Sequence, residues 1–184
     1  MKKIAVIHGV NNPPSSGWQK DFSWLESLDA EIVFVQWPSR SFTGDGLRWL
    51  MSTAYRKQVV DVVNSAVDLC DVDLIVTHSF GQVVANAALA DLPFRTEATI
   101  VNIAGPLTHP FLGVLYGSWK NVEPTRTICV LNEDDHIPAL AGVWEPVEAL
   151  AHIVVDVDTR QDEHDPALYL ANETVQDLLR DLIC

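Results

Sequence analysis

Six short runs, IAVI at 4–7, EIVFVQ at 31–36, LIVT at 74–77, ATIVNI at 98–103, TICVL at 127–131 and HIVVD at 152–156, constrain the fold more than any other feature. Most are nearly continuous in apolar residues instead of alternating with polar ones, the pattern of strands covered on both faces in a parallel sheet. Helical periodicity fills the intervals. Leu47, Leu50, Met51, Ala54, Val62 and Ala66 fall near one face of a helix running from about Gly46 to Asp68. Residues 80–90 are rich in Ala and Val, and Asp165-Pro166 supplies a cap followed by proline at the first helical position. Beyond it, Leu168, Ala171, Val175, Leu178 and Leu182 make an apolar stripe. Strands alternating with helices predict an α/β fold, an open and mainly parallel six-stranded sheet with helices on both faces. With no repeat, low-complexity tract or linker, residues 1–184 read as a single domain.

Charge and cysteine usage remove several function classes. Twelve basic against twenty-five acidic residues give a net charge of −13, which repels phosphate backbones and anionic lipid surfaces. No nucleic-acid partner and no membrane insertion are therefore expected; no run approaches the length needed to span a bilayer. The start, MKKIAVIHGV, has an apolar run of only four residues before His8-Gly9, so it reads as a buried first strand and not as a signal peptide. Cys70, Cys129 and Cys184 are odd in number, widely spaced and without a C-x-x-C pair. They argue against a disulfide framework or a thiolate zinc site and make the cytoplasm the expected compartment.

An open α/β sheet binds its ligands beyond the carboxyl ends of its strands. Nucleotide chemistry finds little support there, since neither G-x-G-x-x-G nor G-x-x-x-x-G-K-[ST] occurs. H-E-x-x-H is also missing. Instead, THSFG at 77–81 places Ser79 between a strand and a small-residue helix, the site of an x-x-S-x-G nucleophile elbow. Acyl transfer also needs a base, a residue to orient that base, and donors for the oxyanion. Residues 8–11 follow the first strand, 132–138 the fifth and 162–165 the sixth, giving the order Ser79, Asp134 or Asp135, then His164. Without those partners, Ser79 would be an ordinary cap of the following helix.

These segments resemble a small, lidless α/β-hydrolase of the serine esterase type over nearly the whole chain. The similarity rests on IAVIHGVN as oxyanion loop, LIVTHSFGQ as elbow, VLNEDDHIP as acid loop and DEHDPALY as histidine loop. It departs from the family at Thr77, where a glycine is usual, and in lacking a long lid insertion. The resemblance implies a Ser-Asp-His triad of Ser79, Asp135 and His164, Asp135 being favoured over Asp134 by the family's D-x-x-P spacing to Pro138. It also implies an oxyanion hole from the backbone N–H groups of Val10 and Phe80. A carboxylic ester or thioester of a small or medium acyl group would be the substrate, and no cofactor is implied.

Other residues fit less chemical duties. His8 and His78 suit loop shaping through hydrogen bonds, His109 an exposed position, His136 the surface beside Asp135, and His152 the far end of the last strand. Asn11, Phe111, Leu112 and Leu115 are candidates for lining the substrate pocket, the last three within the apolar stretch PFLGVLYGSW. The six tryptophans read as packing residues. Asp134, Asp135, His136 and Asp162 to Asp165 carry metal-ligand chemistry, yet neighbouring side chains diverge and no metal site is expected. A catalytically degenerate hydrolase fold serving as a binding module is the alternative from another class, and a metal-dependent hydrolase a third. The sequence is silent on oligomeric state.

Overall fold

The computed structural model describes residues 1–105, 126–132, 135, 151–156 and 164–183. Its centre is a sheet of β1 (Lys2–Ile7), β2 (Ala30–Val35), β3 (Leu74–His78), β4 (Thr99–Ile103), β5 (Thr127–Leu131) and β6 (Ala151–Val154). The strands run in the order β2-β1-β3-β4-β5-β6, and every pair is parallel. Each expected run is a strand, with ends shifted by two residues at most.

Both faces of the sheet are covered because strand side chains alternate between two apolar cores. Ile4, Val6, Leu74, Val76, Val101 and Ile103 face one core. There they meet Trp18, Phe22 and Leu25 from a 3-10 helix (Trp18–Ser27) and Tyr169, Leu170, Val175 and Leu179 from the C-terminus. Ala5, Ile7, Ile75 and Ile100 face the opposite core, built on α1 (Phe42–Met51), α2 (Thr53–Ala66) and α3 (Gly81–Asp91). The C-terminal helices are α4 (Pro166–Ala171) and α5 (Glu173–Ile183).

Two long helices expected from periodicity are each divided. Ser52 ends α1 and starts α2, its extended backbone (φ −130°) placing its side chain to accept from Tyr55 N. The break resets the helical phase, so the expected stripe of Leu47, Leu50, Met51, Ala54, Val62 and Ala66 is not the buried face. Leu47 and Met51 are 62% and 80% exposed, while Trp49, Val59 and Val63 are buried. Asn172 likewise separates α4 from α5. The cap at Asp165 forms as expected, accepting from Ala167 N at 2.9 Å. No helix among the described residues is long and apolar enough to cross a membrane.

Candidate active site

Ser79 sits just past β3, beside the point where the chain order reverses between β1 and β3. Its φ is +53°, left-handed backbone that a side-chain-bearing residue enters only when its surroundings enforce it. Here Ser79 N donates to Ile103 O at 2.9 Å, and Gln82 N donates to Ser79 O at 3.1 Å, pinning the turn from both sides. Two glycines let the backbones close in. A Cβ on Gly9 would come within 2.9 Å of Ser79 Cβ, and one on Gly81 would overlap Ile7 O and stand 2.7 Å from His8 O. Gly81→Ala would gain about 1 kcal/mol of helix propensity. Against that, the backbone carbonyls it meets cannot rotate away, so overpacking of about 3 kcal/mol prevails. Chemical denaturation should show a net loss of about 2 kcal/mol; an unchanged midpoint would mean that strand and helix are not in tight apposition.

Thr77, where the family pattern has glycine, leaves the turn intact. Its hydroxyl donates to Asn102 Oδ1 at 2.6 Å, and Thr77 and Asn102 are register partners on β3 and β4. The extra side chain is thus accommodated along the sheet.

The loop after β1 is held by a buried aromatic and amide scaffold. His8 stacks on Trp37, with ring centres 5.1 Å apart and planes within 7°. Its Nδ1 donates to Gly9 O at 2.6 Å, and its Nε2 accepts from Gln36 Nε2 at 3.2 Å, which defines the neutral tautomer. Burial lowers the His8 pKa to about 4. Gln36 also accepts from Trp18 Nε1 at 2.7 Å and donates to Asn12 O at 3.0 Å. Trp37 Nε1 donates to His8 O at 2.9 Å. At the end of this loop Asn11 takes φ +63°.

His164 lies directly before the Asp165 cap of α4. Its Nδ1 donates to Asp135 Oδ2 at 2.8 Å, and Asp135 is fully buried. The same oxygen accepts from Tyr169 OH at 2.7 Å. His164 Nε2 is buried and, among the described residues, has no hydrogen-bond partner. On the opposite side His78 Nε2 donates to His164 O at 2.8 Å, and the two imidazole centres are 4.8 Å apart. Burial, and then the charge His164 can carry, push the His78 pKa well below its ordinary value, so His78 stays a neutral donor.

Ser79 and His164 open onto one cleft of about 350 Å³. Its walls are residues 9–12, Trp18, Asp21 and Phe22 from the 3-10 helix, His78, and Asp165 with Pro166. Desolvation and the neighbouring Asp165 carboxylate raise the pKa of Asp21. Among the described residues, no group of three or more His, Cys, Asp or Glu side chains is placed to hold a metal ion.

No family model and no curated protein matches this sequence. Solved structures do. The chain is similar to tomato methylketone synthase I complexed with 2-tridecanone, with a TM-score of 0.56 and 10% identity over 97% of this chain and 96% of that one. It is similar to carboxyl esterase 2 of the fungus Tuber melanosporum, with a TM-score of 0.52 and 13% identity over 99% and 78%. A hydrolase from Oleispira antarctica gives a TM-score of 0.54 and 13% identity over 99% and 91%. The chain has the α/β-hydrolase fold.

On that α/β-hydrolase frame the residues singled out in the sequence fall as follows. Ser79, His164, Val10 and Asn11 line the cleft, and Asp135 lies behind His164. Phe80 is the cap residue of α3, its ring packed toward Trp37 and Trp49. Asp134, His109, His136, Phe111, Leu112 and Leu115 lie outside the described residues. Sequence reasoning missed Asp21 and Phe22 as cleft walls and Tyr169 as a partner of Asp135. The spacing of Trp18 and Phe22, one helical turn apart beyond the first loop, was the available signal for the wall.

The two buried, neutral imidazoles of His8 and His78 give the fold a pH dependence. In the unfolded chain a histidine takes up its proton near 6.5, whereas folded His8 does so only near 4. As pH falls through that window the unfolded state binds more protons, so stability is lost from about 6.5 down to about 4. Thermal melts across this range should show a steady fall in Tm, shallower in His8→Asn. Equal slopes would contradict a buried, neutral His8.

Proposed function

We propose that this chain is a serine hydrolase that cleaves a carboxylic ester or thioester of a small or medium acyl group through an acyl-enzyme. The observation that carries the reading is the hydrogen bond from His164 to Asp135 at 2.8 Å, with the other imidazole nitrogen unpartnered among the described residues and His164 lining the cleft that Ser79 shares. A base oriented by a buried carboxylate, with its other nitrogen not committed to a hydrogen bond, is suited to take a proton. The strained turn at Ser79 supports its role as nucleophile, since strain of this kind collects at functional residues.

In this mechanism Ser79 Oγ forms a bond to the acyl carbon while its proton passes to His164 Nε2. Asp135 stabilises the resulting imidazolium. The carbonyl electron pair moves onto oxygen, where the N–H groups of Val10 and Phe80 receive it; each such donor contributes about 3 kcal/mol. Collapse of the tetrahedral intermediate breaks the bond to the alcohol or thiol, which leaves with the proton from Nε2. Water then repeats the sequence on the acyl-enzyme and releases the acid. Ser79 Oγ and His164 Nε2 are not hydrogen-bonded to one another here, and such contacts commonly tighten only when substrate binds.

The partner in this reading is a small acyl molecule met in the cytoplasm, where the free thiols of Cys70 and Cys129 stay reduced. The carboxyl esterase among the structural neighbours supports an ester as the first substrate to try. Short p-nitrophenyl esters should give a burst of p-nitrophenolate followed by slower turnover, unaffected by chelator. Hydrolysis lost to chelator would replace this mechanism with a metal-dependent one.

A further inference from the structure

We propose that Tyr169 is a positioning residue of the reaction, acting through the carboxylate of Asp135; this deepens the hydrolase reading and rests on it. Tyr169 OH donates to Asp135 Oδ2 at 2.7 Å, the same oxygen that receives His164 Nδ1 at 2.8 Å. Both Tyr169 and Asp135 are fully buried. The two donors come from one short stretch, His164 immediately before α4 and Tyr169 within it. Asp165 and Pro166 between them cap and start the helix, so the backbone that carries both donors is fixed.

Chemistry gives the phenol a task that packing alone does not require. A phenylalanine would fill the same volume in this core without the cost of a buried hydroxyl that must find a partner. The hydroxyl instead competes with the imidazole for electron density on Oδ2. It thereby fixes the carboxylate in the plane His164 needs and limits how strongly the carboxylate holds a proton on the imidazole. Removing it leaves more negative charge on Oδ2, which strengthens the bond to Nδ1–H and favours imidazolium. Among the described residues, the other titratable groups at this cleft are the neutral ring of His78 beside His164 and the carboxylates of Asp21 and Asp165. Neither Asp21 nor Asp165 is altered by a change at Tyr169.

The test is Tyr169→Phe in the intact chain, read by proton NMR of the hydrogen-bonded imidazole proton and by the pH profile of ester hydrolysis. Asp135→Asn assigns the NMR line by abolishing it. The account expects the line to move further downfield in Tyr169→Phe and the acidic limb of kcat/KM to move to higher pH. It expects kcat/KM to fall about tenfold, the size of one lost hydrogen bond to a charged group. It also expects no further fall when Tyr169→Phe is added to Asp135→Asn. An unmoved line and limb, or equal losses in both backgrounds, would overturn the proposal.

A second probe retains the hydroxyl. Fluorotyrosine incorporated at position 169 is a stronger donor and should move the same line upfield; an unmoved line again counts against the role. If wild type neither hydrolyses esters nor reacts with a fluorophosphonate, the hydrolase reading fails by that result. The imidazole line then decides the Tyr169 contact independently.

Discussion

Ser79→Ala is expected to lower kcat on short p-nitrophenyl esters on the order of 10⁶-fold, with binding of the ester changed far less. The expectation comes from how the groups are arranged. Ser79 Oγ is the only atom removed, and alanine must occupy the same left-handed backbone (φ +53°) held by bonds to Ile103 and from Gln82. The scaffold beneath the loop does not involve the hydroxyl, because His8, Trp37 and Gln36 bond to one another and to backbone. Chemistry is therefore lost while the denaturation midpoint stays near that of wild type. His164→Ala should cost about as much, and the double variant about as much as either, since nucleophile and base act as one unit. Additive losses would show that Ser79 and His164 work on separate steps. A Ser79→Ala protein with ordinary turnover would remove the nucleophile from the mechanism.

The second large effect belongs to Asp135→Asn, a fall in kcat on the order of 10⁴-fold, smaller than that for Ser79 or His164. His164 Nδ1 now donates to a carboxylate oxygen at 2.8 Å, which leaves Nε2 unprotonated and ready to act as base. A carboxamide can turn its NH₂ toward the imidazole, favouring the tautomer with its proton on Nε2, and it offers no negative charge to an imidazolium. Tyr169 adds a second demand, because its hydroxyl also needs an acceptor at that position. In the proposed mechanism the nucleophile, oxyanion donors and cleft are untouched by this substitution, so some catalysis should survive. Kinetics across pH on purified wild type and variant measure the loss. Should Asp134→Asn prove the costlier of the two, Asp135 is not the orienting acid.

The sheet was legible because its code is local. Continuous apolar runs such as IAVI and LIVT have one economical solution, burial on both faces, and the parallel order follows from the helices between them. Ser52 was not legible in that way. It sits inside a region of helical periodicity, and nothing in pattern alone distinguishes a serine facing solvent from one whose backbone becomes extended and caps the next helix. That single residue rotated the buried face from Leu47 and Met51 to Trp49, Val59 and Val63.

The site shows the same division. Ser79 follows β3 directly, and Asp135 and His164 come after β5 and β6 in the chain, on the side where an α/β sheet collects its ligand-binding loops, which made them candidates; Asp135 was preferred to Asp134 only through the family's D-x-x-P spacing. Tyr169 was hidden because it occupies a buried helical position among leucines, where a phenol reads as core. Its hydroxyl becomes meaningful only once α4 is laid beside the loop that follows β5. The departure from glycine at Thr77 could not be interpreted from sequence either, because Asn102, which takes its hydroxyl, is remote in sequence and adjacent only in register.

The most direct measurement is labelling of purified wild type and Ser79→Ala with a fluorophosphonate probe, followed by mapping of the modified peptide. An activated serine displaces fluoride and becomes covalently phosphonylated, whereas a serine that merely caps a helix does not react. The account predicts labelling of wild type at Ser79 and none in the variant. A well-folded wild type left unlabelled, or a variant labelled to the same extent, would contradict it.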